Sequence, residues 1–296
     1  MDYLTLPRAE WEARLGKKPS IESASLPPYI DPAEIAAIYA PLAELLHLMY
    51  QVKRETAANV RRFFQAPERP DLFIIGITGS VASGKSTMAR ILTSLLSGYP
   101  DQPKTAVLST DQFLYPNRIL SERGLMDKKG FPESYDFEAL HAAIAALADG
   151  AQSIRVPEYS HDIYDILPEP TTLERPDILV VEGLHVLGAA TGRVPLSDRM
   201  DVTLYVDAEE ADLFRWYWER IKGLVQAAEN RPESFYYNFK DTDENTLYAM
   251  ARQVWEDING KNLRDHILPT RERASLILRK DGDHRIREIK INKCLL

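Results

Sequence analysis

A chain of 296 residues can bury a sizeable core, as one large domain or two small ones. Hydrophobic residues make up 45% and charged residues 27%, ordinary values for a globular protein. The formal net charge of −8 argues against a general binder of nucleic acid or of anionic membranes. An anionic ligand must therefore be met locally, by a few placed cations and backbone N–H groups. The lone cysteine, Cys294, excludes an internal disulfide, fits a reducing cytosol and reads as a tail residue without a role. The opening MDYLTLPRAEWEARLGKKPS lacks a basic start followed by an apolar core, so it is not read as a signal peptide. No apolar run approaches the ~20 residues that span a bilayer. A cytoplasmic protein is expected, with neither membrane nor nucleic acid as a partner.

Along the chain, residues 1 to about 30 read as irregular, with LPPYIDP as a turn-rich boundary. Pro41 suits the first turn of a helix whose Leu42, Leu45, Leu46 and Met49 share one face, and which is expected to run to Phe64. APERPD breaks the chain before a strand at 72–77. After the loop GSVASGKST, Met88, Ile91, Leu92, Leu95 and Leu96 recur at helical spacing. Strands are expected at 105–110, 177–183 and 201–207, and their near-continuous apolar character suits a parallel sheet covered on both faces. Helical patterns fill 137–150 and 209–225, and a hairpin is expected around Asp281–Gly282. The fold class is α/β, P-loop NTPase-like and doubly wound, with a mainly parallel sheet and helices on both faces. One domain spans 1–296, with a helical extension over about 1–70.

The pattern G-x-x-x-x-G-K-[ST] is met by Gly79, Gly84, Lys85 and Ser86, enclosing Ser80, Val81, Ala82 and Ser83 and followed by Thr87. Glycines let the backbone curl so that its N–H groups face phosphate oxygens. Lys85 would reach the β- and γ-phosphates of a nucleotide, and the Ser86 hydroxyl would hold Mg²⁺. A GTPase would need an N-K-x-D segment, which is lacking; DKKG at 127–130 follows no apolar strand and reads as a chance match in a polar loop. Asp111 and Glu182 end apolar strands, where parallel sheets present ligand-contacting groups. Asp111 could take a hydroxyl proton, bind Mg²⁺ or merely cap the next segment; Glu182 could hold the metal's water shell or be structural. In PEYSHDIYD an extended backbone would turn Tyr159 and His161 to one side. Tyr217 and Arg220 share a helix face, so Arg220 could neutralise a transferring phosphoryl group or form a surface salt bridge with Glu219 or Asp212. Trp216 and Trp218 read as packing residues.

Taken in order, GSVASGKSTMAR, STDQFLYPN, RGLMDKKGFPESYD, PEYSHDIYD, PDILVVEGLHVL and ILPTRERASLIL resemble the type I, bacterial pantothenate kinases, relatives in fold of uridine kinase and phosphoribulokinase. The resemblance covers about residues 30–284. It implies a typically homodimeric enzyme that uses MgATP to phosphorylate pantothenate on its primary hydroxyl, the first step of coenzyme A synthesis. It further implies that Lys85 and Ser86 serve ATP and Mg²⁺, that Asp111 is the base and that Arg220 stabilises the transferring phosphate. Tyr159, His161, Tyr217 and Asn259 would contact pantothenate, Arg90 would lie near the phosphates, where coenzyme A also binds as feedback inhibitor, and Lys280 and His284 would lie beside the adenine. Gln112 stands where the family usually has glycine, and His185 where it has asparagine. LPPYID lacks the family's Asn and Asp near the nucleotide. Ile221 and Leu224 replace phenylalanines, which is expected to weaken coenzyme A inhibition unless Tyr236 and Phe239 fill the space. Two alternatives remain at this level: a kinase of the same fold for another small alcohol or a nucleoside, and a nucleotide-binding regulator without catalysis.

Overall fold

The apolar runs become the inner strands of a sheet in a computed structural model, which describes residues 2–14, 30–188 and 195–296. The amino terminus departs from expectation. Strand β1 (Tyr3–Pro7) and helix α1 (Arg8–Glu12) stand where irregular chain was expected. Burial drives this: Leu6 and Trp11 are buried, and the Trp11 indole donates to the Ile38 carbonyl (3.1 Å). Leu26–Tyr29 of the LPPYID boundary lie outside the described residues.

A short α2 (Pro32–Glu34) and a π-helical turn lead into α3 (Ala40–Phe64). The continuous stretch Pro32–Phe64 is, by length and composition, apolar enough to cross a membrane, contrary to the reading of the bare sequence. Yet 61% of its most apolar window is buried, with Leu42, Ala43 and Leu46 packed on the sheet, so it satisfies that test as a core helix.

Strand β2 (Phe73–Gly79) runs into the glycine loop and α4 (Lys85–Ser97). After β3 (Thr105–Ser109) come α5 (Asn117–Glu122) and α6 (Phe137–Ala148), then β4 (Ser153–Val156), β5 (Tyr159–Ser160), β6 (Asp165–Ile166) and β7 (Thr171–Glu174). The chain returns to the sheet as β8 (Ile178–Glu182) and β9 (Val202–Asp207), adds α7 (Glu210–Ala227) and α8 (Glu244–Val254), and closes with the expected hairpin of β10 (Leu276–Lys280) and β11 (Ile286–Asn292).

The order of the seven strands is β1-β11-β10-β9-β2-β8-β3. From β10 to β3 all neighbours are parallel, while β11 and β1 form an antiparallel edge. Along β2, Phe73, Ile75 and Ile77 face the layer of α3 and α4, and Ile74 faces that of α6. Burial on both faces is why these strands read as unbroken apolar runs. The chain moves from β2 outward to β3, returns through β8 and crosses to β9. The strand order therefore switches direction beside β2, and α/β folds bind ligands at the carboxyl ends of such strands.

Candidate active site

Two glycines shape the loop after β2. At Gly79 (φ 145°) a Cβ would lie 2.5 Å from the Val206 carbonyl oxygen, and at Gly84 (φ 93°) 2.7 Å from Lys280 Nζ. The loop is thus a cradle that side chains there would fill. Val81 and Ala82 pack on the α7 layer, and the hydroxyls of Ser80 and Ser83 are buried without a partner. Lys85 is buried at the start of α4 and donates to the Ser80 carbonyl (2.8 Å). Burial pushes its pKa down, opposed by Glu182 and Asp111. Ser86 and Thr87 follow on the first turn, and Arg90 is exposed on the same helix. Lys280, at the end of β10, donates to the Ser83 carbonyl (2.8 Å) and so supports the loop; burial lowers its pKa to about 8. His284 stacks on Trp216, with ring centroids 4.0 Å apart. Trp216 is therefore more than the packing residue expected: its indole N–H points at the Gly282 carbonyl (3.3 Å), tying α7 to the β10–β11 turn.

Two carboxylates approach the loop from neighbouring strands. β3 pairs with β8 so that Ser109 lies opposite Glu182, and Asp111 sits in the 3₁₀ turn immediately after β3. The Tyr135 hydroxyl donates to Asp111 Oδ1 (3.0 Å). Glu182 is buried, with the Ser109 and Ser86 hydroxyls close enough to favour its charged form; burial raises its pKa, and Lys85 pulls the other way. Gly183 lets the two strand ends meet, since a Cβ there would lie 1.8 Å from Thr110 Oγ1. Ser86, Glu182 and Asp111 offer only oxygen, and the described residues contain no group of three or more acidic, histidine or cysteine side chains placed to hold a metal ion by themselves. Such a set suits Mg²⁺, which keeps several waters and shares its remaining positions with phosphate.

A group of aromatic and polar side chains lies within reach of the Asp111 charge. β5 is extended, and the Tyr159 and His161 rings meet edge to face at 5.1 Å, on one side as expected. Burial lowers the His161 pKa, with Asp111 opposing and Arg220, Lys85 and Lys129 reinforcing, so the ring is neutral near pH 7. Burial raises the pKa values of Tyr159 and Tyr217, with Asn259 close enough to Tyr217 to oppose the shift slightly. Arg220 is exposed, yet its charge acts on His161, Lys85, Tyr217 and Tyr236. Asp212, one acid considered for a salt bridge with it, pairs with Arg215 (2.9 Å).

Sequence reasoning missed Lys129. It lies in the DKKG segment set aside as a polar loop, but it is buried. Its ammonium donates to Asn117 Oδ1 (2.7 Å) and the Tyr164 carbonyl (2.5 Å) and stands over the Tyr164 and Tyr159 rings. Burial lowers its pKa to about 8, with Asp165 and Asp111 opposing. The available signal was its place inside RGLMDKKGFPESYD. His185, the histidine in an asparagine position, bonds through Nε2 to the Gly130 carbonyl (2.7 Å), which Asn262 also reaches (2.7 Å). Its ring meets Tyr135 edge-on, and burial lowers its pKa to about 4.

Residues 74–221 match the phosphoribulokinase/uridine kinase family. The chain is 39% identical to the pantothenate kinase of Serratia proteamaculans, over 98% of this chain and 96% of that protein. It is 40% identical to the pantothenate kinase of Vibrio cholerae, over 98% and 97%. The chain belongs to the pantothenate kinase family. At the level of fold alone it is similar to D-glycerate 3-kinase from Cryptococcus neoformans (TM-score 0.52, 12% identity, 83% of this chain and 97% of that one). For this kinase, the residues around β2, β3, β5 and α7 are therefore the candidates for substrate contact.

Proposed function

We propose that the chain transfers the γ-phosphoryl group of MgATP to the primary hydroxyl of pantothenate, giving 4′-phosphopantothenate and opening coenzyme A synthesis. One observation carries the mechanism: Asp111, held by Tyr135, is near enough for its charge to act both on the phosphate-loop lysine and on His161. In this reading the loop from Gly79 to Thr87 cradles the phosphates, and Lys85 offsets their charge. Ser86 directly, and Glu182 through water, would hold Mg²⁺, which would supply further positive charge against the phosphates. Asp111 takes the hydroxyl proton as the oxygen attacks phosphorus, and ADP leaves. Arg220 reaches the transferring group. Tyr159, neutral His161, Tyr217 and Asn259 hold the acceptor by hydrogen bonds, and Lys129 supplies positive charge for its carboxylate. Lys280 and the His284–Trp216 stack flank the adenine side, and Arg90 lies toward the phosphates.

The test measures ADP release with pantothenate, with uridine and with no acceptor. Stimulation by pantothenate alone is expected; stimulation by uridine instead, or by neither, would sink the reading.

The finer expectations belong to the same proposal. Coenzyme A inhibits by competing with ATP. The working form is a homodimer, for which the exposed Val52, Val60, Phe63 and Phe64 on the far half of α3 supply apolar surface. Consumption of ATP supports a cytoplasmic setting, which cell fractionation checks.

A further inference from the structure

The turn bearing Asp111 and the segment bearing Tyr159 and His161 come from different parts of the fold. The first follows β3 of the central sheet; the second is β5, with His161 in the turn just after it, and among the described residues β5 pairs with β6 alone in a small sheet. Gln112 joins them. Its Oε1 accepts from the Ser109 N–H (3.2 Å), and its Nε2 donates to the Pro157 carbonyl (2.8 Å). Ser109 in turn receives the Asp111 N–H on its hydroxyl (3.4 Å), closing a capping box around the turn. One planar amide thus has one end on the strand leading to Asp111 and the other two residues ahead of Tyr159.

We infer that Gln112 is a positioning residue, setting the distance between the proton-accepting carboxylate and the wall that grips the acceptor alcohol. The inference rests on the roles proposed above for Asp111, Tyr159 and His161. The opposite end of the small sheet is anchored separately: Asn117 donates to Asp165 and to the Tyr164 carbonyl, which Lys129 also reaches. Gln112 is the matching anchor at the near end. Glycine, which the resemblance leads one to expect at 112, makes neither bond, so the tie belongs to this chain. Catalysis between two bound groups is sensitive to their spacing, because a misplaced acceptor loses the near-attack geometry that binding provides.

Gln112→Gly and Gln112→Glu test this against the unsubstituted enzyme. The glycine variant should raise the KM for pantothenate and lower kcat, each by about 3- to 10-fold, the range for losing a neutral hydrogen bond. Its KM for ATP should stay unchanged, while its thermal midpoint falls by only the few degrees that loss of a cap costs. The glutamate variant keeps the acceptor for Ser109 but, ionised near neutral pH, has no proton to donate to Pro157. At pH 8 its kcat/KM for pantothenate should fall at least as far as that of the glycine variant, with the KM for ATP unchanged. A glycine variant with unchanged pantothenate kinetics, or with both KM values raised together, would overturn the positioning role. If the unsubstituted chain itself shows no pantothenate-stimulated turnover, the functional reading fails and the inference with it. Normal turnover beside an indistinguishable glycine variant removes the inference alone.

Discussion

Asp111 spends one carboxylate oxygen on the Tyr135 hydroxyl, which leaves the other to accept a proton. Asp111→Asn keeps the shape and removes the basicity, so kcat should fall by roughly 10²–10⁴-fold while the KM for ATP stays nearly constant. A near-normal kcat in steady-state assays would return Asp111 to the role of a cap. Arg220 and Tyr217 should separate kinetically. Arg220→Ala removes charge needed as the phosphoryl group transfers and should depress kcat, whereas Tyr217→Phe removes a ground-state hydrogen bond and should mainly raise the KM for pantothenate. The reverse pattern would exchange their roles. Lys129 adds a pH signature. Its pKa is lowered to about 8, so the free enzyme loses this charge as pH rises through that value, and attraction for an anionic acceptor goes with it. At saturating ATP, kcat/KM for pantothenate should fall above pH 8. Lys129→Met should abolish that limb, and Lys280→Met, which alters the nucleotide side, should not. Lys85 and Ser86 were legible from spacing alone, and Asp111 and Glu182 from their places at strand ends. Lys129 was not, because the groups that bury it, Asn117, Tyr159 and Tyr164, come from other segments.

At the scale of elements, the loop at 126–136 and the end of β8 are held together by a histidine. His185 is buried and neutral, with its pKa lowered to about 4 against an ordinary 6.5. The unfolded chain therefore binds the proton first. The stability this group contributes is complete above pH 6.5 and is lost as pH falls toward 4, reaching about 2 kcal/mol by pH 5. His185→Asn keeps a donor for the Gly130 carbonyl but does not titrate. The drop in urea midpoint between pH 7 and pH 5 should thus be smaller in the variant; an equal drop would assign acid sensitivity elsewhere. On α7, Ile221 and Leu224 pack with Tyr236 and Phe239, so the 235–239 turn restores the aromatic character that the sequence of α7 lacks. For the proposed coenzyme A inhibition, these rings are the candidates to stand in for the phenylalanines that α7 lacks. Tyr236→Ala combined with Phe239→Ala should raise the inhibition constant at low ATP by roughly 5- to 100-fold, and Ile221→Phe combined with Leu224→Phe should change it little. Unchanged inhibition in the alanine pair would remove these rings from the site.

For the whole molecule, the parallel sheet was legible because strands buried on both faces leave unbroken apolar runs. The antiparallel edge was only half legible. The β10–β11 hairpin carries its own turn, whereas β1 is a short strand ending in proline whose partner lies almost the full chain length away. Nor could local pattern show that the stretch from Pro32 through α3 is apolar for two reasons, sheet contact in its first half and exposed Val52, Val60, Phe63 and Phe64 in its second. That second half supports the proposed homodimer. Light scattering should give twice the 33.6 kDa chain mass, and Phe63→Glu with Phe64→Glu should return the single-chain value without loss of the folded signal. A single-chain mass for the unsubstituted protein would remove α3 as an assembly surface.

The contact between Gly183 and Thr110 has a consequence for how this enzyme tolerates change. Glu182 and Asp111 are the immediate chain neighbours of those two residues, and the space between them is too small for one methyl group. Any side chain at 183 would wedge β3 from β8 beside the two acids proposed to act on the phosphate. Damage at this seam would leave the hydrophobic layers on either face of the sheet untouched. A chain carrying it would keep its folded layers and lose the proposed phosphoryl transfer.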